Sequence, residues 1–274
     1  MKIWLNGGLR DAEGARVSVF DHGLTVGDGV FETLKADHGR AFALTRHLER
    51  LTASARGLGL PDPDLDEVRR GCAAVLDANP MALGRLRITY TGGVSPLGSD
   101  RGESGTTLVI ALAETHRRPD TTAAVTVPWT RNERGALSGL KSTSYGENVV
   151  ALARARELGA SEALFANTVG ALCEGTGSNV FVVLDGELHT PPLTSGCLAG
   201  ITRALTVTWA GAKETDLPLD ALERADEIFL TSTLRDVQAV TRIDRRQLAD
   251  GPGPVTAEAM RIFDAHAAAD FDPR

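Results

Sequence analysis

Apolar and polar positions in the first part of the chain follow the periods of both strands and helices. Apolar runs bounded by turn residues predict strands, with a hairpin turn at residues 37–39. Apolar side chains spaced three and four residues apart predict two helices after that hairpin. The predicted strands cover 2–7, 27–36, 40–44, 85–92 and 106–113, and the predicted helices cover 44–55 and 65–76.

The rest of the chain alternates between strand and helix patterns after a polar, proline-containing connection. A chain of 274 residues is near the length at which one core divides, so we expect two domains, 1–118 and 119–274. Because hairpins are mixed with helices, the pattern favours an α+β or α/β fold over a regular βαβ series. The remaining strands are predicted over 123–129, 162–167, 178–185, 227–232 and 237–244, and the helices over 147–158, from about 200, and over 256–268.

Composition excludes several classes of function. A net charge of −7 argues against a protein that binds the phosphate backbone of nucleic acids. The chain has neither a run of 18 apolar residues nor the apolar core of a signal peptide, so we expect a cytoplasmic protein without a membrane span. The 3 cysteines form no CxxC pair, which indicates reduced thiols rather than a zinc site or disulfides.

The best-marked enzyme motifs are also missing. The segment GALSGLKS lacks the spacing of a phosphate-binding P-loop, and no GxGxxG, GxSxG or HExxH occurs. The 6 histidines are scattered, so no metal site is predicted.

Lysine is rare in this chain, which directs attention to Lys141. Of the 29 basic residues only four are lysines, and Lys141 is the one that does not read as a surface residue. It precedes the helix predicted over 147–158, whose apolar residues Val149, Val150 and Ala153 should face the core. A cation near a helix start is disfavoured, and partial burial would lower the pKa of its amine; about three units correspond to roughly 4 kcal/mol in favour of the neutral nucleophile. Schiff-base chemistry requires such an amine, whereas a lysine at the edge of an element is the alternative.

Glu174 stands at the end of a predicted strand, in the segment ALCEGTGSNVF. One interpretation is a turn carboxylate that caps Gly175 and Thr176. The other is a carboxylate directed at a ring nitrogen that must stay protonated, as the electron sink of pyridoxal requires.

Three further segments could hold a phosphate group. In LAGITR, Ile201 and Thr202 start a helix, where backbone N–H groups, a hydroxyl and the helix dipole favour an anion, although an ordinary capped helix has the same sequence. In FLTST, Ser232 and Thr233 end a predicted strand and could add donors, and Arg50 in HLERL could add a guanidinium fork.

These segments together resemble a known family. HLERL, the Lys141 segment, CEGTGSNVF, LAGITR and FLTST follow in the order and approximate spacing of the class IV aminotransferases, the pyridoxal 5'-phosphate enzymes of fold type IV. The resemblance covers nearly the whole chain, including GDGVFETLK. It implies a small N-terminal α+β domain, a larger C-terminal mixed-sheet domain that binds the cofactor, and a homodimer whose active site lies between domains and borrows residues from the partner. For the site, it implies Lys141 as cofactor-bound lysine and proton shuttle, Glu174 as pyridine-nitrogen partner, and as phosphate ligands Arg50, Ile201, Thr202 and Thr233.

Departures from the family patterns bear on the substrate. Branched-chain enzymes usually have Phe-Glu-Gly early and a tyrosine five residues after the lysine, whereas this chain has Thr33 and Gly146 at those places. D-amino acid enzymes typically hold the substrate carboxylate with an early tyrosine and an Arg-x-His, and this chain has Phe31 and no Arg-x-His in the loop 92–105.

The segment after Lys141 is similar to that of 4-amino-4-deoxychorismate lyases, which often have an acid and an amide where Glu147 and Asn148 stand. The resemblance therefore implies pyruvate elimination that gives 4-aminobenzoate, a folate precursor. The alternative is an aminotransferase that acts on a D- or branched-chain amino acid. Arg87 and Arg101 are candidate clamps for a substrate carboxylate.

Overall fold

The computed structural model describes all 274 residues, which form two compact units. The first unit contains Met1–Arg117, Leu140–Ser144 and Phe271–Arg274, and the second contains Arg118–Gly139 and Tyr145–Asp270. The sequence analysis assigned 140–144 and 271–274 to the second domain. The lysine-bearing segment clusters with the first unit because the Phe31 N–H donates to the Lys141 carbonyl at 2.9 Å.

The first unit is built on a six-stranded antiparallel sheet with the order β2-β1-β6-β5-β3-β4. Its elements are β1 (Lys2–Leu5), β2 (Gly8–Asp11), α1 (His22–Thr25), β3 (Gly29–Asp37), β4 (Arg40–Ala41), α2 (Leu44–Leu58), α3 (Leu65–Ala78), β5 (Leu83–Thr91) and β6 (Thr107–Glu114).

One face of this sheet forms the core of the first unit. Every second residue of β3 and β5, such as Leu34 and Ile88, packs against the apolar stripes of α2 and α3. Leu48 and Val75 represent those stripes, and they are almost fully buried. The opposite face of the sheet, which carries Phe31, does not take part in this core.

The second unit is built on a nine-stranded mixed sheet. Eight of its strands follow the order β12-β11-β10-β13-β14-β7-β8-β9, and the ninth, β15, pairs with β14. Its elements are β7 (Thr121–Arg131), α4 (Gly146–Glu157), β8 (Glu162–Asn167), β9 (Leu172–Gly175), β10 (Asn179–Leu184), β11 (Glu187–Thr190), a 3-10 turn (Leu193–Ser195), α5 (Ile201–Ala210), β12 (Lys213–Glu214), α6 (Ala221–Arg224), β13 (Glu227–Ser232), β14 (Asp236–Ile243), β15 (Arg246–Gln247) and α7 (Pro254–Ala269).

Both faces of the second sheet are covered. Ala151 and Ala155 of α4 pack with Phe165 on one side, while α6 covers Leu164 and its neighbours on the other. Because β8 is buried at all six positions, its central residues Ala163–Ala166 form a continuous apolar run rather than an alternating pattern, with Glu162 and Asn167 buried at its two ends. The alternating pattern of β3 and β5 thus belongs to a sheet with one covered face, and the apolar run of β8 belongs to a sheet with two covered faces.

The expected fold class is confirmed, and most predicted elements lie within a few residues of their predicted bounds. The hairpin is the main exception, since β4 has only 2 residues and the long partner of β3 is β5. The stripe predicted for α4 is wrong: Val149 and Val150 are 64% and 54% exposed, and the helix buries Asn148, Ala151 and Ala155 instead. No helix combines the length and the apolar character needed to cross a membrane.

Candidate active site

Lys141 lies in an extended segment rather than at a helix start. Helix α4 begins five residues later, at Gly146, so the expectation of a cation at a helix N-terminus is wrong. Two backbone contacts fix the segment in the first unit: the Lys141 carbonyl accepts from Phe31 at 2.9 Å, and its N–H donates to Ser54 Oγ at 3.2 Å. The Lys141 Nζ lies 4.5 Å from the centre of the Phe31 ring. The lysine is therefore half-buried against β3.

A second cation shares that aromatic ring. The Arg87 Cζ lies 3.4 Å from the centre of the Phe31 ring, and Arg87 Nε donates to Thr89 Oγ1 at 3.3 Å. Arg87 and Thr89 alternate on β5, and Thr89 is opposite Phe31 in the register. Two positive side chains thus meet one ring on the sheet face opposite the core of the first unit.

Arg50 is held by a buried carboxylate beneath the sheet. Its Nε and Nη2 donate to Glu32 at 2.8 and 2.7 Å, and His47 Nδ1 lies 2.6 Å from Glu32 Oε2. Burial by itself would raise the pKa of Glu32, but Arg50 and His47 outweigh it and lower that pKa to about 2. Glu32 is therefore ionised at neutral pH, and it orients the Arg50 side chain.

His47 stays neutral in this arrangement. Burial lowers its pKa, Glu32 opposes that shift, and the positive charges of Arg50 and Lys141 add to it. The neutral ring donates through Nδ1 to Glu32, so the group keeps one negative and one positive charge in a buried site.

Glu174 lies on β9 in the second unit. The Leu198 N–H donates to its Oε2 at 2.9 Å, and Arg131 Nε lies 3.3 Å from its Oε1 at an angle outside hydrogen-bonding range. The turn-cap interpretation is wrong, because Thr176 N donates to Glu162 and Gly175 N donates to Ser178. Glu174 is thus a carboxylate stabilised by a neighbouring cation and one backbone donor.

The sequence analysis missed Glu162, which anchors the turn after Glu174. This carboxylate is 2% exposed and accepts from the N–H and hydroxyl of Thr176, from Ser178 Oγ at 2.8 Å, and from Ala163 N at 3.1 Å. Asn148 supports the same turn by donating to the Thr176 carbonyl at 2.5 Å. The only signal in the sequence was an acid at the start of a strand whose next four residues are apolar.

The start of α5 is suited to an anion. Gly200 is its N-cap residue, and no side chain caps the first turn, which begins with Ile201 and Thr202. A Cβ at Gly200 would lie 1.9 Å from Asn179 Oδ1, so this position requires glycine. Asn179 in turn donates to the Leu198 carbonyl at 2.9 Å.

The end of β13 adds hydroxyl groups in the second unit. The strand ends at Ser232, so Thr233 lies in the following turn rather than in the strand. Thr231 Oγ1 is buried and has no hydrogen-bond partner. A buried orphan hydroxyl is a destabilising feature that a bound polar group would relieve.

The six predicted site residues divide between the units. Lys141 and Arg50 lie in the first unit, and the second contains Glu174, Ile201, Thr202 and Thr233.

Arg101, a candidate clamp for a substrate carboxylate, already has partners within the first unit. Its Nε and Nη2 donate to Asp28 at 2.7 and 2.6 Å, and Nη2 also donates to the Leu58 carbonyl. The Arg101 hydrogen bond lowers the pKa of Asp28.

Comparison with known proteins identifies the family of this chain. Residues 29–243 match the family model of the class IV aminotransferases. A Methanocaldococcus jannaschii protein, provisionally named a branched-chain-amino-acid aminotransferase, is 36% identical, with 96% of this chain and 95% of that protein covered. D-alanine aminotransferase from Staphylococcus haemolyticus is 31% identical over 97% of both chains.

Solved structures give the same result. The branched-chain aminotransferase of Thermoproteus uzoniensis with norvaline is similar with a TM-score of 0.90 and 30% identity, over 96% of this chain and 93% of that one. A Legionella pneumophila protein provisionally described as a 4-amino-4-deoxychorismate lyase is similar with a TM-score of 0.87 and 25% identity, over 93% and 97%. The chain belongs to the class IV aminotransferases, a family of pyridoxal phosphate-dependent enzymes.

Proposed function

We propose that this protein transfers the amino group of a D- or branched-chain amino acid to a 2-oxo acid, with pyridoxal phosphate as cofactor and Lys141 as the reactive amine. The proposal rests on one observation above all: Lys141 Nζ and the Arg87 guanidinium meet at the Phe31 ring, so an amine and a cation stand together. Similarity to relatives named as aminotransferases supports it over the lyase.

The residues fit this cofactor. The uncapped start of α5 at Ile201 and Thr202 offers N–H groups and a hydroxyl to a phosphate, and the orphan hydroxyl of Thr231 lies two residues before Thr233. We assign Arg50 to the phosphate as well, with its orientation set by Glu32. Glu174, with Arg131 beside it, suits a protonated ring nitrogen. When bound, pyridoxal phosphate supplies the electron sink for charge that develops at the substrate's α-carbon.

Three side chains of the protein then have separate roles in the reaction. Lys141 Nζ takes the proton from the substrate's α-carbon and returns it, which requires a neutral amine. Phe31 carries no polar group next to that amine and supports it from β3. Glu174 keeps its negative charge through the Leu198 N–H and Arg131, and so can hold a proton on a ring nitrogen.

The residues that suggested a lyase have structural roles. Glu147 is exposed and lies 3.4 Å from Arg131, while Asn148 is buried and supports the Thr176 carbonyl. Neither role is specific to elimination of pyruvate, so the lyase is an outcome of the test rather than the proposal.

The test is dependence on an acceptor. Purified protein reconstituted with pyridoxal phosphate should convert D- or branched-chain amino acids only when a 2-oxo acid is added. Lys141→Ala should abolish turnover and the visible absorption band of the bound cofactor. Lys35→Ala is the matched control, because Lys35 is also half-buried and lies 5.2 Å from the Phe42 ring.

Release of pyruvate and 4-aminobenzoate from 4-amino-4-deoxychorismate without an acceptor would instead establish the lyase. Wild-type protein that stays colourless after reconstitution would contradict both activities.

We also propose a homodimer. In the first unit, residues 17–26 and 94–97 are joined by backbone contacts such as Ser95 N to the Phe20 carbonyl at 3.1 Å. They expose Val17, Val19, Phe20, Leu24, Val26, Val94 and Leu97. Monomers rarely expose such a patch, and a second copy of the chain would cover it. Light scattering on the holoenzyme should give twice the chain mass of 29.0 kDa, and a monomer would contradict the proposal.

A further inference from the structure

We propose that Asp272 is a positioning residue for the cofactor phosphate, because it caps the start of α2 and so holds His47 and Arg50 in place. This inference rests on the proposed function, in which Arg50 binds the phosphate, and deepens it by adding a residue that is distant from the site in sequence. The acid lies in the segment 271–274, which belongs to the first unit although it follows α7 of the second.

The first residues of α2 provide no cap of their own. Ala43 is the N-cap residue, and its methyl group accepts no hydrogen bond from the helix. Its backbone is left-handed, with a φ of 52°, which is unfavourable for alanine. The first turn contains no acid, and Arg46 adds a positive charge where the helix dipole disfavours one. The N–H donors of this turn therefore need an acceptor from elsewhere in the chain.

Asp272 supplies that acceptor. The Thr45 N–H donates to Asp272 Oδ1 at 2.8 Å, and the Thr45 hydroxyl donates to Asp272 Oδ2 at 2.6 Å. Thr45 is the second residue of α2, a position whose N–H an N-cap side chain ordinarily binds. Asp272 thus takes the place of a capping side chain at position 43, and its negative charge is favourable at this end of the helix.

Three further contacts hold the segment 271–274 against the start of α2. The Ala43 N–H donates to the Phe271 carbonyl at 2.9 Å. On the other side of the acid, Arg46 Nε donates to the carbonyl of Pro273, which is buried. The Phe271 ring packs edge-on against the Phe42 ring, with the two centroids 5.4 Å apart. The capping acid is therefore fixed by contacts on both sides.

The capped turn leads directly to the group that orients Arg50. The His47 N–H donates to the Ala43 carbonyl at 3.1 Å, which closes the first turn of α2. The ring Nδ1 of His47 lies 2.6 Å from Glu32 Oε2, and Glu32 accepts from Arg50. Loss of the cap would fray the turn and loosen His47 from Glu32. Because the turn must then reorder when the phosphate binds, the loss should weaken binding of the phosphorylated cofactor in particular.

The experiment compares Asp272→Ala with Asp64→Ala in the full chain. Asp64 is the matched control, because it is also an exposed acid and caps α3 of the same unit by accepting from Asp66 N and Glu67 N at 2.9 and 3.0 Å. No candidate site residue lies on α3, so Asp64→Ala removes a cap that does not lead to the phosphate. The measurements are the dissociation constants of pyridoxal phosphate and of unphosphorylated pyridoxal, by absorption titration of the apoenzyme, and amide hydrogen exchange at 45–48.

For Asp272→Ala we expect the dissociation constant of pyridoxal phosphate to rise about fivefold, which corresponds to a helix cap of about 1 kcal/mol at 1.4 kcal/mol per factor of ten. The constant for pyridoxal should change by less than about twofold, and exchange at 45–48 should become faster. Asp272→Asn should restore both properties, because asparagine caps a helix as well as aspartate does. Asp64→Ala should speed exchange at the start of α3 and leave the ratio of the two dissociation constants unchanged.

Equal weakening of both compounds in Asp272→Ala, or the same change of ratio in Asp64→Ala, would show that the acid contributes only to stability and would overturn the inference. Unchanged binding of pyridoxal phosphate, or unchanged exchange at 45–48, would overturn it as well. A wild-type protein that binds no pyridoxal phosphate would defeat the proposed function and the role of Asp272 towards the phosphate, whereas exchange at 45–48 would still report whether Asp272 caps α2.

Discussion

Glu32→Gln tests the buried ionic group that Glu32 forms with Arg50 and His47. Glu32 is fully buried and accepts three hydrogen bonds from Arg50 and His47, at 2.6 to 2.8 Å. Glutamine has nearly the same shape, but its amide nitrogen would face donors and would leave the Arg50 charge uncompensated. Breaking a buried pair in this way costs about 3–5 kcal/mol of unfolding free energy.

The pKa of Glu32 gives an independent magnitude. It falls from the ordinary value of 4.5 to about 2, because Arg50 and His47 outweigh the effect of burial. A shift of this size corresponds to about 3 kcal/mol in favour of the folded state. Since the folded pKa is the lower one, that stability is complete above about pH 4.5 and is lost as the pH falls towards 2.

The assay is urea unfolding of the apoenzyme, followed by circular dichroism, at pH 7 and pH 3.5. Glu32→Gln should be less stable than wild type by about 3 kcal/mol at pH 7, and the difference should narrow by about 1 kcal/mol at pH 3.5. Glu49→Gln is the control, because Glu49 is exposed on α2, the helix that carries the Glu32 partners His47 and Arg50, and should change stability by less than about 0.5 kcal/mol. A loss below about 1 kcal/mol at pH 7, or a difference independent of pH, would refute the reasoning.

Two further substitutions test the second unit. Glu162→Ala removes the acceptor of four hydrogen bonds and should lower the unfolding free energy by about 3 kcal/mol, measured by urea unfolding. A loss within about 0.5 kcal/mol would mean that the turn at Thr176 is stable without Glu162. Gly200→Ala introduces a Cβ 1.9 Å from Asn179 Oδ1 and should weaken binding of pyridoxal phosphate more than that of unphosphorylated pyridoxal, by fluorescence titration; equal weakening would argue against a phosphate at α5.

The elements most accurately predicted from sequence are those bounded by turn residues. The strands β8 and β13 were predicted with their observed bounds, Glu162–Asn167 and Glu227–Ser232. Local composition was sufficient there, because a short apolar run with polar or turn residues at both ends has few alternatives. Helix α2 was predicted for a related reason, since its apolar residues keep helical spacing over several turns.

Long-range pairing could not be read from the sequence. The hairpin after β3 was predicted as a full pair of strands, but β3 pairs along its length with β5, which is far away in the chain. The stripe on α4 was wrong for a similar reason, because Val149 and Val150 are apolar yet exposed. Periodicity shows which residues share a helix face and does not show which face is covered.

The candidate site residues show the same difference between local sequence patterns and long-range contacts. Ordered motifs indicate the six candidate site residues, whereas Glu32 and Glu162 act through partners 14 to 18 residues away and belong to no such motif. An acid beside apolar residues in a predicted strand was the signal available for both, since a charge is buried only when it is paired. A search for such residues would have found the group that orients Arg50.

Sequence motifs identify the family of this chain more clearly than they identify its substrate. The lyase expectation depended on Glu147 and Asn148, and the structure gives one an exposed position and the other a backbone contact at Thr176. Arg87, by contrast, belongs to no motif, and its relation to Phe31 and Lys141 arises from strand register and from an extended segment distant in sequence. Catalytic groups that every member shares must keep their sequence neighbourhood, whereas a residue that selects a substrate needs only the right place on a sheet face. For this chain, the residues after Lys141 therefore do not decide between the lyase and the aminotransferase.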